Sequence, residues 1–287
     1  MVKLQKIGHL TNTLSLDVVV GAILSAAFAS RIFSVTPGVA YWFILPIAVW
    51  VVYTSDHLVD AYRLKEKAHT PRHLFHHQNF RLLARLVFVL SLVNIILAIF
   101  FLEHIIIVFG FIVGGGTLLY LSAVHFIGKR KKVYLQKELF VAVIYVSGVW
   151  GGPWALSGFN ISPDAVILFA VFMMLAIADV LVFTIYDHNT DQLDKHPTLF
   201  SHIGEKAIYI FYYLLIVLSS VGVIYLIIDS PVFLHRAAAK IYLIMCLLLL
   251  LLISIPDVFN KNARYRTLGE MVFWLPGIIL LIGDDLN

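Results

Sequence analysis

Charge is what this chain has least of. Only 13% of its 287 residues are Asp, Glu, Lys or Arg, and 61% are hydrophobic, with a mean hydropathy of +0.92. A soluble domain would carry roughly 25% charged residues, so there is no room here for a sizeable soluble domain. Cysteine is nearly absent. The single Cys246 lies in the apolar run 241–255 and excludes an internal disulfide and any Cys-based metal site. It reads as a small apolar residue. No Ser sits in a Gly-x-Ser-x-Gly elbow and no Gly-rich loop opens a helix, so nucleophilic hydrolysis and P-loop chemistry find no support. Gly114–Gly116 falls within an apolar run and reads as a packing feature.

What the chain has in quantity is apolar runs long enough to cross a bilayer. About nine are expected, at 14–34, 38–55, 82–102, 104–126, 136–157, 163–186, 206–228, 233–255 and 268–283. The fold class is therefore an all-α polytopic membrane protein, its helices bundled around a central cavity, with residues 1–287 forming one integral-membrane domain. The first run is read as a retained helix, because no small-residue cleavage site follows it. Pro46, Pro153 and Pro276 lie within spans and predict kinks. Gly114–Gly116 and Gly148, Gly151 and Gly152 predict close helix approach.

Basic residues orient the bundle. With the N-terminus inside, the inner segments hold 18 of the 21 Lys and Arg, including Lys3, Lys6, the group from Arg63 to Arg85 and the group from Lys129 to Lys137. Only Arg31, Arg236 and Lys240 fall outside. Such asymmetry is a positive-inside signal. It accounts for the net charge of +4 without invoking nucleic acid as a partner. The expected location is a cell membrane of the bacterial inner-membrane type, with the site on the cytoplasmic side.

Two acidic stretches close apolar runs on that side. Asp56-His57-Leu58-Val59-Asp60 follows the second, and Tyr186-Asp187-His188-Asn189-Thr190-Asp191-Gln192-Leu193-Asp194-Lys195 follows the sixth. Residues i, i+4 and i+7 share one helix face, which predicts an acidic stripe of Asp187, Asp191 and Asp194. Four facing carboxylates repel one another unless cations lie between them. Asp oxygens are hard ligands suited to Mg²⁺, which keeps waters and shares phosphate oxygens. Arg72, Lys129, Arg130, Lys131, Lys132 and Lys195 are the bases that would complete a diphosphate site. Asp179, eight residues before Asp187, is expected about two turns deeper on the same face, pointing to a polar cavity. Asp17, Asn94 and His125 are weaker instances of the same signal.

These features resemble the UbiA superfamily of intramembrane prenyltransferases. The second motif, Tyr186-Asp187-x-x-x-Asp191 followed by Lys195, Thr198-Leu199 and Ile203-Gly204, is similar to the family's second aspartate-rich motif. Lys129-Arg130, Gln136-Lys137-Glu138 and Arg72 are similar to its accessory positions. The first motif is shorter than the family's Asn-Asp-x-x-Asp-x-x-x-Asp. Aligning its last two acids on Asp56 and Asp60 puts Val52 and Tyr53 where the Asn and the first Asp belong, and pairing Asp56 with the first acid instead leaves Val59 in the second acid's place. The resemblance implies nine membrane helices and a prenyltransferase activity. Mg²⁺ on Asp56, Asp60, Asp187 and Asp191 would bind a prenyl diphosphate, with Arg72, Lys129, Arg130 and Lys195 neutralising it and Asp179 and Asp194 lining the site. Ionisation would give an allylic cation in a dry apolar tunnel, attacked by a lipophilic or aromatic acceptor. Aromatic faces at Trp150, Trp154, Tyr120, Tyr145 and Phe183 could steady the cation, or simply pack.

Two other readings stay open. His73-x-x-His76-His77 places three imidazoles at i, i+3 and i+4, a spacing compatible with iron in a membrane metalloenzyme acting on lipids. The incomplete first motif is also compatible with a UbiA-fold lipid-binding protein without turnover.

Overall fold

The computed structural model describes residues 11–64, 66, 70–127, 137–194 and 198–283, and regular structure among them is helical throughout. In chain order the α-helices are α1 (Leu16–Ile32), α2 (Tyr41–Leu64), α3 (Pro71–Gln78), α4 (Phe80–Phe101), α5 (His104–Ile127), α6 (Lys137–Leu156), α7 (Pro163–Leu193), α8 (Leu199–Ile203), α9 (Glu205–Asp229), α10 (Phe233–Ser254), α11 (Pro256–Phe259) and α12 (Arg264–Val272). A short 3₁₀ stretch, Leu275–Leu281, follows. Among the described residues six helices are long and apolar enough to cross a membrane: α2, α4, α6 over Leu139–Leu156, α7, α9 and α10. α1 has 17 residues, and α5 contributes a shorter apolar stretch, His104–Tyr120.

Helix starts are written in local chemistry. Ser162 accepts from the Ala165 amide at 3.2 Å with Pro163 at the first helical position, and Thr70 caps α3 the same way ahead of Pro71. Thr198 and Ser201 form a reciprocal capping box on α8. Gly204, at φ 81, turns the chain from α8 into α9, a conformation that a Cβ would strain.

The end of the chain departs from the expected single span. Over 268–283 the backbone is α-helical only to Val272 and resumes as the 3₁₀ stretch. Pro276 has no N–H to donate and disfavours the α conformation at Leu275, so α12 stops short.

α7 is the centre of the bundle. It has 31 residues, packs on α6, α9, α10 and α12, and buries residues along its length from Ala165 to Thr184. Phe28, Trp150, Phe172 and Tyr242 interlock beside it, with Phe28 stacked on Tyr242 at 5.0 Å and Phe172 at 5.8 Å from Tyr242. Lipid tails are as apolar as these side chains, so such contacts act through close packing rather than removal from water. Gly151 and Gly152 of α6 bear this out. A Cβ at Gly151 would lie 2.0 Å from the Phe109 ring of α5, and one at Gly152 would lie 2.7 Å from the Tyr41 ring of α2. The other glycines expected to do this, Gly114–Gly116 and Gly148, have nothing within 4 Å and serve no close approach. α4 is peripheral. Leu83 is its one buried residue, while Phe88, Phe100 and Phe101 face outward.

Candidate active site

Both acidic motifs lie on helices rather than after them. α2 runs on through Asp56 and Asp60 to Leu64, and α7 through Asp187 and Asp191 to Leu193, with Asp194 as its C-cap. A helix satisfies its own backbone, so it passes from apolar to polar sequence without interruption. The two helices do not pack extensively on each other: α2 packs mainly on α1, α3 and α4. Between them come the residues preceding α1, the helix α3 and the helix α12.

Asp187 is anchored through both of its carboxylate oxygens. Its Oδ1 accepts from the Tyr265 hydroxyl and its Oδ2 from Arg266 Nη2, both at 2.5 Å. Asp187 is 14% exposed and Arg266 24%. Tyr265 stacks on Tyr186 at 4.3 Å with ring planes 6° apart, and the Tyr186 hydroxyl donates to the Leu252 carbonyl at 2.6 Å. The Arg266 guanidinium lies over the Phe183 ring at 5.9 Å. Burial works against the Arg266 charge, yet the Asp187 carboxylate outweighs it and its pKa is raised. Burial and the same carboxylate raise the Tyr265 hydroxyl, keeping it protonated as a donor.

Arg72 comes to the same end from α3. Its Nη2 donates to Asn12 O at 3.1 Å and Asn12 Oδ1 at 2.9 Å, and its Nη1 lies 3.3 Å from His57 Nε2. These partners are neutral. Burial and the nearby Arg266 cation lower its pKa, against the opposing charges of Glu270, Asp17 and Asp187. Asn12 in turn donates to Asp17 Oδ2 at 2.7 Å, and Trp274 Nε1 donates to the Asp17 carbonyl at 2.9 Å. The residues before α1 are thereby tied to α3, and the start of α1 to Trp274 just past α12.

Deeper in the bundle, a small cavity of about 30 Å³ is lined from α1, α2, α6, α7 and α12. Tyr53, Tyr145, Asp179 and Glu270 supply its polar side chains. Tyr53 occupies the position aligned above with the family's first Asp. Asp179 is 5% exposed, as its expected depth implied. Gly269 makes room for it: a Cβ there would sit 2.6 Å from Asp179 Oδ1 and 2.9 Å from the Phe183 ring.

Of the residues singled out from sequence, Asp187, Arg72 and Asp179 converge on this end of the bundle. Asp60 is buried and Asp56 half-buried on α2, with Asp56 close enough for its charge to reach Tyr53. Asp191 and Asp194 lie further along α7 and at its end. Lys129, Arg130, Lys131, Lys132 and Lys195 lie outside the described residues. Tyr145 and Phe183 are at the site, whereas Trp150 is core, Tyr120 stacks on Phe140 and Trp154 packs on Phe159. Arg266, Tyr265, Glu270 and Asn12 were missed as site residues. The signals available were Arg266, which the topology argument absorbed as inner-face charge, and Glu270, an acid within the expected span 268–283.

The His box lies on α3. His76 is fully buried, its Nδ1 donates to the Arg72 carbonyl at 2.9 Å, and its ring packs edge-on against His57 at 5.1 Å. Among the described residues no three His, Cys, Asp or Glu side chains group to hold a metal by themselves. Mg²⁺, held through one or two carboxylates plus phosphate and water, does not need such a cage.

The fold is that of a membrane prenyltransferase. The chain superposes on a solved digeranylgeranylglyceryl phosphate synthase with a TM-score of 0.55 at 15% sequence identity, covering 94% of this chain and 97% of that one. Together with the six helices that, among the described residues, are long and apolar enough to cross a membrane, this fold makes it an integral membrane protein. No family model matches the chain. No curated protein matches it by sequence.

Proposed function

We propose that this protein is a prenyltransferase that ionises a prenyl diphosphate at the cytoplasmic leaflet and passes the prenyl group to a lipophilic or aromatic acceptor. The observation that carries this reading is the gathering of Asp187, Tyr265, Arg266 and Arg72 at one mouth of a bundle with a prenyltransferase fold. Arg72 and Arg266 would bind the diphosphate and stabilise the charge that develops as it leaves. Tyr265 would hold Asp187 in place. The apolar walls above, from Phe183 to Tyr145, would keep water from the allylic cation. Mg²⁺ belongs to the proposal: Asp56, Asp60, Asp187 and Asp191 would hold it, and it would supply further positive charge to the leaving group. Lys129, Arg130 and Lys195 would add to the same anion-binding face, with the N-terminus inside.

The test is diphosphate release from radiolabelled prenyl diphosphates of several lengths by the protein in lipid with Mg²⁺, beside Asp191→Asn. Release that needs Mg²⁺ and is lost in the variant is expected. A folded protein that releases none at any length is not a prenyltransferase, and the UbiA-fold lipid-binding alternative takes its place.

A further inference from the structure

α4 begins with charge and continues without it. The helix is long and apolar enough to cross a membrane, yet Arg81 and Arg85 stand in its first two turns, both exposed, and no Asp or Glu occurs in it. Residues i and i+4 share a face, so the two guanidinium groups lie on one side of α4. Among the described residues neither meets an acid. Arg85 stands about 8 Å into the helix. An unpaired cation at that depth in a bilayer is costly, and its long stem lets the charge reach back toward the headgroup layer and Arg81.

Beside Arg81 lies an open groove of about 520 Å³. Tyr62 from the end of α2 and Phe80 form one wall, with their rings 6.0 Å apart. His77 and Gln78 at the end of α3, and Asn79 at the turn, supply polar groups. Asn79 precedes α4 but does not cap it: its Nδ2 donates to the Phe75 carbonyl at 2.9 Å. The positive end of α4 is thus left without a side-chain cap where the helix borders the groove. Beyond the groove, Leu82, Leu86 and Val89 are exposed along one stripe of α4, at spacings of four and three.

We propose that this groove binds the headgroup of an anionic phospholipid. The phosphodiester meets Arg81, Arg85 and the amide end of α4. Headgroup hydroxyls meet His77 and Gln78, and Tyr62 takes the interfacial level that suits its ring and hydroxyl. The acyl chains follow Leu82, Leu86 and Val89. That apolar track favours a lipid over free phosphate, which would find only the headgroup contacts. None of the residues lining the groove belongs to the Asp187 site, so the inference stands apart from the prenyltransferase reading.

The test is native mass spectrometry of the full-length protein, released from micelles that hold equal amounts of phosphatidylglycerol and phosphatidylcholine with the same acyl chains. About fivefold preference per arginine gives an expected excess of phosphatidylglycerol in the first bound lipid of about tenfold or more. Arg81→Gln combined with Arg85→Gln should bring the ratio within about threefold. Lys240→Gln, which removes an exposed cation on the half of α10 away from this corner, should leave the ratio unchanged. In a second measurement, phosphatidylglycerol should raise the thermal unfolding midpoint of the wild type, and inorganic phosphate at the same concentration should not. No preference in the wild type, a preference that survives in the folded double variant, or an equal loss in Lys240→Gln overturns the inference. Stabilisation by inorganic phosphate equal to that by the lipid overturns it too, since the groove would then be an anion site with no need of acyl chains. If the double variant does not fold, the wild-type ratio and the phosphate comparison still decide.

Discussion

Removing Arg266 together with the charge it neutralises should damage this protein less than the two removals summed. The guanidinium meets Asp187 Oδ2 at 2.5 Å, and the two side chains are only 24% and 14% exposed. Breaking a buried pair from one side costs about 3–5 kcal/mol, because the remaining charge is left without compensation. Partial exposure here reduces that to about 2–4 kcal/mol. Asp187 keeps its bond from Tyr265 in the Arg266→Ala protein, which softens the loss without replacing the charge. Asp187→Asn alone leaves Arg266 over Phe183 and Tyr265, where the ring faces still attract it. In the double variant neither charge is stranded, so its destabilisation should fall short of the summed single effects by about 1–3 kcal/mol. The assay is a double-mutant cycle on reversible unfolding in mixed micelles. Strict additivity of the two single variants would refute the claim that this pair is a buried, mutually dependent element of the site.

Gly269→Ala tests the close approach of α12 to α7. Its methyl would lie 2.6 Å from Asp179 Oδ1, so a loss of about 1–3 kcal/mol is expected by thermal unfolding, and an unchanged stability would contradict the packing described. The protein should also lose stability as pH falls below about 6.5. Burial lowers the pKa of His76 below the value it has in the unfolded chain, so the unfolded state binds the proton first and the folded state is penalised until the folded pKa is reached. His76→Gln should flatten part of that slope, while a slope identical to the wild type would assign the effect elsewhere. Chelation of divalent ions should abolish diphosphate release while leaving the fold intact by circular dichroism; release that persists in EDTA would remove Mg²⁺ from the account.

The bundle was legible because a bilayer allows few solutions. An apolar run of sufficient length must be helical to satisfy its own backbone; eight of the nine expected runs coincide with a single helix each, and among the described residues six helices are long and apolar enough to cross a membrane. The exception, 268–283, was foreshadowed by Pro276, whose effect was read as a kink when it is a break. The acidic face of α7 was legible from spacing alone, and the depth of Asp179 followed from counting turns. What spacing could not reveal is pairing across the chain. Asp187 and Arg266 are far apart in sequence, and Asp179 meets Gly269 only because α12 folds back against α7. Arg266 looked like any other charge of the inner face, and Glu270 fell within an expected span. The same positive-inside logic that oriented the bundle concealed a site residue in a topology signal. The His box misled in a similar way, since helical spacing brings imidazoles to one side without directing their nitrogens to a common point.

The central claim is that the mouth built by Arg72, Arg266 and Asp187 binds a prenyl diphosphate. Equilibrium binding of farnesyl and geranylgeranyl thiodiphosphates, which resist ionisation, tests it without depending on an acceptor. The account predicts saturable binding in the presence of Mg²⁺, weakened about tenfold or more in Arg72→Ala, as expected for loss of a charge-assisted contact. No binding by the folded protein, or binding indifferent to Arg72, would contradict it.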